Sequence, residues 1–95
     1  MAITKDTPAE NKIKTFYFTI IIPIYLSTSD KIKKIFHDNK CSDVILSIQN
    51  KQLNLTFLRN SISYEKAVET AKSDVKEILE SLGFQDIKML VLNYS

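Results

Sequence analysis

Glycine is almost absent from this chain, since its 95 residues include only one, Gly83. Loops that cradle phosphates or dinucleotides need several glycines, because their backbone N–H groups must approach the ligand closely. Loops of that kind are therefore excluded. Cysteine and histidine are equally scarce, with Cys41 and His37 as single copies. One cysteine cannot form an internal disulfide, and one of each cannot build a metal cluster. We predict no metal site and no cofactor.

A strong charge of either sign is also lacking, because 13 basic residues face 11 acidic ones and leave a net charge of +2. Nucleic-acid-binding domains usually concentrate more positive charge on one face. The single free cysteine fits a reducing compartment, so we expect a cytoplasmic protein. The apolar run from Phe16 to Leu26 contains Pro23 and is too short to span a membrane. It is typical of a strand, and no membrane contact is predicted.

The apolar periodicity predicts six elements in the order β-α-β-β-α-β. Residues 1–12 show no apolar period and are predicted as a mobile N-terminal tail, followed by a single domain over residues 13–95. The predicted strands cover residues 14–22, 43–49, 53–59 and 86–93. The first predicted helix covers residues 30–38, with Ser27, Thr28 or Ser29 as its N-cap. The second covers about residues 63 to 83 and ends at Gly83.

This order of elements predicts an α+β fold of the ferredoxin-like type. Two split β-α-β halves combine into a four-stranded antiparallel sheet with the strand order 4-1-3-2, and both helices cover the same face. Alternation assigns one set of side chains to the covered face: Phe16, Phe18, Ile20, Val44, Leu46, Ile48, Leu53, Leu55, Phe57, Ile87, Met89 and Val91. At about 1.5–3 kcal/mol for each large buried side chain, this core is sufficient for a small domain.

The opposite face of the sheet should be polar if it only meets water, yet six large side chains are assigned to it. They are Tyr17, Ile21, Ile45, Leu58, Leu90 and Leu92. A contiguous apolar patch of this kind usually marks a protein interface, whereas scattered single aliphatics are normal on a surface. We favour the interface and predict that this face binds a second copy of the chain or another protein.

The same fold binds RNA when aromatic side chains line the central strands of the open face. Here only Tyr17 could stack on a base. Nucleic-acid binding, through this face or through the lysines of the first helix, is therefore the alternative function. Three of those lysines, Lys31, Lys33 and Lys34, are possible anion contacts, although a solvated helix face is the more common role for such residues.

Arg59 is the only arginine, placed at the end of the third predicted strand. It could contact an anion, or it could pair with Asp74 on the second helix and tie that helix to the sheet. We favour the structural role. The carboxylates of the second helix follow the spacing of a solvated surface, and no converging acid–base pair or nucleophile is visible. An enzyme is therefore not predicted.

Part of the chain resembles a known family in its strand-to-helix junctions. The residues that carry the likeness are Phe18, Pro23, Cys41-Ser42-Asp43, Leu55-Thr56-Phe57-Leu58-Arg59, Ser61, Ser63, Ala67-Val68, Ala71 and Asp74-Val75. They resemble the ferredoxin-like N-terminal domain of small bacterial DNA-binding regulators, in which a helix-turn-helix part follows. The likeness spans about residues 16 to 92, and most of the motif reports packing and capping.

The resemblance implies a regulator, but this sequence ends after the fourth predicted strand, so we do not expect the helix-turn-helix part or its DNA binding. What remains is the half that binds partners or oligomerises. A domain of this size also suits a small inhibitor, either antitoxin-like or a phage anti-defence protein, by analogy of size and fold. The sequence therefore predicts a non-catalytic module for protein–protein contact, with a homodimer as its simplest form.

Overall fold

A computed structural model describes residues 12–25 and 29–93 of the chain. Residues 1–11 of the predicted tail lie outside the described part, as do the cap candidates Ser27 and Thr28. Six elements follow one another in the predicted order. They are β1 (Lys14–Ile22), α1 (Asp30–Asp38), β2 (Val44–Gln49), β3 (Gln52–Ser61), α2 (Tyr64–Ser81) and β4 (Leu90–Asn93).

The four strands form one antiparallel sheet with the order β2-β3-β1-β4, which is the predicted order read from the other edge. The predicted α+β, ferredoxin-like arrangement is confirmed. β1 and β3 form the centre of the sheet and pair along nine residues, with Phe18 opposite Phe57. β4 pairs with the other side of β1, and Leu90 lies opposite Ile21. The two central strands, β1 and β3, are therefore separated in sequence by α1 and β2.

The covered face of the sheet and both helices share one hydrophobic core. Phe18 and Phe57 stack there with their ring centroids 5.4 Å apart, and the ring of Tyr64 meets Phe18 edge-on at 6.0 Å. Ala67 and Ala71 of α2 are fully buried, and these small side chains let the helix approach the strands closely. Phe36 brings α1 into the same core.

Both helices end in the same type of backbone cap. In α2 the N–H of Phe84 donates to the carbonyl of Leu79 at 3.0 Å, and Gly83 adopts the left-handed conformation with φ of +99°. Glycine suits this position because it has no Cβ to clash with the backbone. After α1 the same geometry falls on Lys40, with φ of +74°. Lysine adopts that conformation less readily, so contacts elsewhere must hold it.

The start of α2 follows the sequence prediction, because the side chain of Ser63 accepts a hydrogen bond from the N–H of Lys66 at 3.1 Å. Ser29 occupies the corresponding position before α1, and among the described residues its side chain makes no cap bond. The hairpin between β2 and β3 turns at Asn50 and Lys51, with φ of +54° and +62°. Two consecutive positive φ values characterise the type I′ turn, whose twist matches the flanking strands.

The fourth strand is shorter than predicted, because it covers residues 90–93 and not 86–93. The pairing register explains the difference. Continued beyond Leu90, it would set Met89 opposite Ile22 and Lys88 opposite Pro23. β1 ends at Ile22, and Pro23 has no N–H to donate, so the residues before Met89 have no partner in β1. Ile87 and Met89 still pack against the core, which preserves the apolar alternation without a strand.

Candidate functional site

Arg59 lies near the end of β3 and is almost completely buried, with 8% of its surface exposed. Its Nε and Nη2 donate to the two carboxylate oxygens of Asp43 at 2.8 and 3.0 Å. Its Nη1 donates to Asp74 at 3.0 Å and reaches the hydroxyl of Thr70 at 3.4 Å. A further bond from Nη2 to the carbonyl of Lys40 measures 2.9 Å. All five guanidinium N–H groups are therefore engaged within the chain.

We call this group of Arg59, Asp43 and Asp74 the arginine cluster. It joins β3 to α2 through Asp74 and to the segment before β2 through Asp43. The bond to the Lys40 carbonyl also fixes the left-handed residue that ends α1. The predicted contact between Arg59 and Asp74 is present. The two-bond contact, however, is made by Asp43, which the sequence reading did not single out as a partner.

Burial of Arg59 acts against its charged form, but the hydrogen bonds to Asp43 and Asp74 more than offset it, so the pKa of the guanidinium lies above its ordinary value. Arg59 therefore stays protonated at any ordinary pH. One positive and two negative groups leave the arginine cluster with a formal charge of −1. An external anion would have to displace a carboxylate, which makes a structural role the better explanation of this geometry.

Cys41 lies beside the arginine cluster and is completely buried. Burial raises the pKa of its thiol to about 11, and the positive charge of Arg59 only partly opposes that effect. The thiolate is the nucleophilic form of cysteine, so a raised pKa and an inaccessible sulfur both suppress reactivity. Cys41 behaves as a small apolar core residue.

The open face of the sheet carries the six side chains that were predicted to bind a partner. We call the group the sheet patch: Tyr17, Ile21, Ile45, Leu58, Leu90 and Leu92. Leu58 lies opposite Tyr17 in the register, Leu90 lies opposite Ile21, and Leu92 lies opposite Thr19. Ile45 of β2 lies opposite Thr56, which in turn lies opposite Thr19. One row across the sheet therefore runs from Ile45 through the two threonines to Leu92. The sheet therefore brings all six residues to one side.

Two threonines form the centre of the sheet patch. The hydroxyl oxygens of Thr19 and Thr56 lie 3.0 Å apart and share a hydrogen bond. Thr19 is only 3% exposed although both described helices lie on the other face. Its short side chain lies below the larger residues around it, so the centre of the sheet patch is polar and its surroundings are apolar. The hydrogen bond between the two hydroxyl groups lowers the free-energy cost of burying them under a partner.

The larger side chains of the sheet patch are well exposed. Among the described residues, eight large hydrophobic side chains are exposed, and five of them lie on this face, led by Ile45 at 63% and Leu90 at 60%. Alternation within the four strands places no charged side chain on the open face, and Lys88, just before β4, lies at its edge beside Ile21 and Leu90. Concentration of apolar side chains on one face differs from the scatter expected of an ordinary surface.

The three lysines predicted as anion contacts are exposed on α1. Lys34 pairs with Asp38 one turn later at 3.2 Å, a solvent-exposed contact of small energetic value. Arg59 donates to its own acceptors and takes no part in such a site. His37 lies on the same side of α1 as Lys33, and its Nε2 lies 3.2 Å from the carbonyl of Val44. No pattern in the sequence predicted this contact between α1 and β2.

Within residues 12–25 and 29–93, no group of three or more histidine, cysteine, aspartate or glutamate side chains could hold a metal ion. No helix in the described part of the chain is long and apolar enough to cross a membrane. Comparison with models of protein families, with curated proteins and with solved structures gave no match. The geometry of the chain itself therefore carries the functional argument.

Proposed function

We propose that this chain is a non-catalytic module that works by protein–protein contact, and that its sheet patch binds the sheet patch of a second copy. The observation that carries the proposal is the concentration of exposed apolar side chains on one sheet face, where the strands themselves place no charged side chain. Two identical charged faces would repel each other, whereas two copies of this face would not. The cytoplasmic location expected from the free thiol of Cys41 belongs to the same proposal.

The size of the face supports a dimer of moderate stability. Four strands about 4.8 Å apart and about seven residues long give a face of about 19 by 23 Å. Two such faces, with side chains that project from them, would bury about 1,000 Å² or slightly more, which is the size of a weak, reversible interface. We therefore expect a dissociation constant of about 1–100 μM.

The arrangement of the patch is nearly symmetric across the strands, which suits a two-fold contact. An axis parallel to the strands, between β1 and β3, would set β2 of one copy opposite β4 of the other. Ile45 would then meet Leu92 of the second copy, and Leu58 would meet Tyr17 of the second copy. The threonine pairs would face each other at the centre, where hydroxyl groups can bond across the interface.

Sedimentation velocity from about 1 to 500 μM tests this proposal, because that range brackets the expected dissociation constant. We expect a monomer–dimer equilibrium, and we expect Leu58→Glu and Leu90→Glu each to weaken it by about tenfold or more, since a carboxylate would lose its water in the interface. Tyr25→Glu is the matched control, because Tyr25 is an exposed aromatic residue outside the four strands. It should leave the equilibrium unchanged.

A strict monomer at the highest concentration would contradict the proposal, as would an equal effect of all three variants. Salt separates this function from nucleic-acid binding, the predicted alternative. An apolar sheet contact should persist at about 1 M NaCl, whereas binding to phosphates falls steeply with salt. Tight, salt-sensitive binding of a single-stranded oligonucleotide, abolished together by changes at Lys31, Lys33 and Lys34, would favour the alternative.

The resemblance to the N-terminal domain of helix-turn-helix regulators fits a module of this kind. In such a regulator the domain would supply the contact that assembles the protein, and the same contact could serve a small antitoxin-like or anti-defence-like inhibitor. Both roles need the sheet patch and neither needs a catalytic residue. The sedimentation experiment therefore tests the step that they share.

A further inference from the structure

Among the described strands, β2 lies at one edge of the sheet and pairs with β3 alone. The N–H of Leu58 donates to the carbonyl of Asp43 at 3.1 Å, and the register sets these two residues opposite each other. Bonded and non-bonded positions alternate along an antiparallel pair. The bonded positions of β2 are therefore Ile45, Ser47 and Gln49. The N–H and C=O groups of Val44, Leu46 and Ile48 point away from β3.

Among the described residues, only the Val44 end of this outward row of backbone groups has a hydrogen-bond partner. The ring of His37 reaches the carbonyl of Val44 at 3.2 Å. In the part of the chain that the structure describes, no hydrogen bond joins the outward groups of Leu46 or Ile48 to another residue. An unpaired row of this kind is a template for a further strand.

β2 also lacks the features that protect most edge strands. Charged side chains, proline, a bulge or a very short strand usually prevent pairing at an edge. The six residues Val44–Gln49 include neither a charged residue nor a proline. The other edge, β4, is only four residues long and directly follows Lys88 and Met89. The two edges therefore differ, and β2 is the one that is open to pairing.

A groove of about 220 Å³ runs beside this edge, lined by Lys33, His37, Val44, Ile45 and Leu46. Lys33 and His37 are four residues apart, so they lie on one side of α1, above the edge. Lys33 carries a positive charge, and none of the five side chains that line the groove is negative, so the groove favours a ligand that carries negative charge. Antiparallel pairing of β2 with a second copy would instead bring two Lys33 side chains towards each other, which like charges oppose.

We propose that the β2 edge binds an extended acidic segment of another protein as a fifth strand. The main chain of that segment would bond to the N–H and C=O groups of Leu46 and Ile48. Because side chains alternate between the faces of a strand, its carboxylates would face Lys33 and His37 on the helix side. Apolar residues between them would lie beside Ile45 on the open side. This surface shares only Ile45 with the proposed dimer contact, and its backbone groups take no part in that contact, so either proposal can be wrong without the other.

A blocked nine-residue peptide of alternating glutamate and valine is the probe, and the same peptide with lysine in place of glutamate is its control. The titration uses the Leu90→Glu variant, in which we expect association through the sheet patch to be weakened, and follows amide NMR signals and hydrogen exchange. We expect the glutamate peptide to slow exchange at the Leu46 and Ile48 amides and to shift their signals. We expect the lysine peptide to leave both unchanged.

A matched pair of variants tests whether the positive charge of Lys33 favours an acidic segment. Lys33→Glu should weaken binding of the glutamate peptide about fivefold or more at low salt, because it reverses the charge above the edge. Lys31→Glu makes the same charge change on the opposite side of α1 and should alter binding less than about twofold. Folding of each variant is checked by its melting temperature.

Several results would overturn the proposal. One is a lack of protection at Leu46 and Ile48 at millimolar peptide, and another is equal binding of the two peptides. Equal effects of Lys33→Glu and Lys31→Glu would remove the argument for an acidic partner. Association of the Leu90→Glu variant with itself, with protection at the same two amides, would assign the edge to a second copy.

Discussion

The two faces of the sheet are built from the same strands and manage their polar groups in opposite ways. The covered face is apolar along its length, and its charged residues gather at one end in the arginine cluster, where Arg59 is fully bonded. The open face carries neutral hydroxyl and amide groups at its centre, with exposed aliphatic and aromatic side chains around them. The polar groups of the covered face find their partners within the chain, whereas the open face leaves large apolar side chains exposed.

This difference separates residues that stabilise the fold from residues available for contact. Leu55 and Leu58 illustrate it, because both lie on β3 and one is fully buried while the other is 51% exposed. A side chain of the covered face contributes to the free energy of unfolding. A side chain of the open face is expected to contribute little to the stability of the monomer, and its apolar surface is what the proposed dimer would cover.

The largest effect is expected from Arg59→Ala, which should lower the free energy of unfolding by about 3–5 kcal/mol, because it leaves two partly buried carboxylates without their partner. Urea denaturation measures the change. Lys34→Ala breaks the exposed pair with Asp38 and serves as the control, with an expected loss below about 0.5 kcal/mol. Equal melting temperatures of the wild type and Arg59→Ala would refute the structural role of the arginine cluster.

Leu55→Ala and Leu58→Ala compare the two faces on one strand. Leu55→Ala creates a cavity in the core and should cost about 2–5 kcal/mol. Leu58→Ala should change the stability of the monomer by less than about 1 kcal/mol. Both are measured at a protein concentration below the expected dissociation constant, so that association does not contribute. Similar losses for the two variants would mean that the open face is part of the folding core.

The buried thiol of Cys41 gives the covered face a dependence on high pH. Its pKa is raised from 9.0 to about 11 by burial, so the folded protein holds the thiol proton more tightly than the unfolded chain does. The stability from the neutral thiol is complete below pH 9 and is lost as the pH rises through about 11. This loss should amount to about 2 kcal/mol.

Comparison of the wild type with Cys41→Ala isolates that effect, because lysine and tyrosine titrate in both proteins. The difference in unfolding free energy between them should shrink from pH 8 to pH 11, as determined by urea denaturation at each pH. A difference that stays constant would show that the thiol does not titrate differently in the two states. Native Cys41 should also resist alkylation until the protein unfolds.

The smallest effect is expected at the threonine pair of the open face. Thr19→Val removes one hydroxyl and leaves that of Thr56 without its bond, at an expected cost of about 1 kcal/mol. The double variant Thr19→Val/Thr56→Val should be closer to the wild type than the sum of the single changes, because no polar group is then left unpaired. A double-mutant cycle measures this coupling, and strictly additive effects would contradict it.

Much of the fold follows from short-range patterns. The limits of β1 and α1, the Ser63 cap and the Gly83 stop were all predictable, since each depends on alternation or on a single residue with a special backbone role. The length of β4 was not, because it depends on the partner strand: β1 ends before Pro23, while Ile87 and Met89 keep an alternating pattern.

The arginine cluster was likewise only partly predictable from the sequence. Asp74 was recognisable from its place beside the apolar stripe of α2. Asp43 was not, because the alternation of β2 would place it on the open face with Ile45, and only the turn before the strand directs its carboxylate to Arg59. The backbone carbonyl of Lys40 has no signature in the side-chain sequence. The sheet patch, in contrast, followed directly from alternation.

The turn at Asn50 and Lys51 bears on the order in which the chain folds. β2 and β3 are joined by these two residues, so their pairing closes a very short loop at low entropic cost. The pairs that β1 makes with β3 and β4 join residues many positions apart and must close far longer loops. We therefore expect the β2–β3 hairpin to form before the transition state and the docking of β1 to limit the rate. Lys51→Gly, which relieves the positive φ, should then accelerate folding more than it slows unfolding.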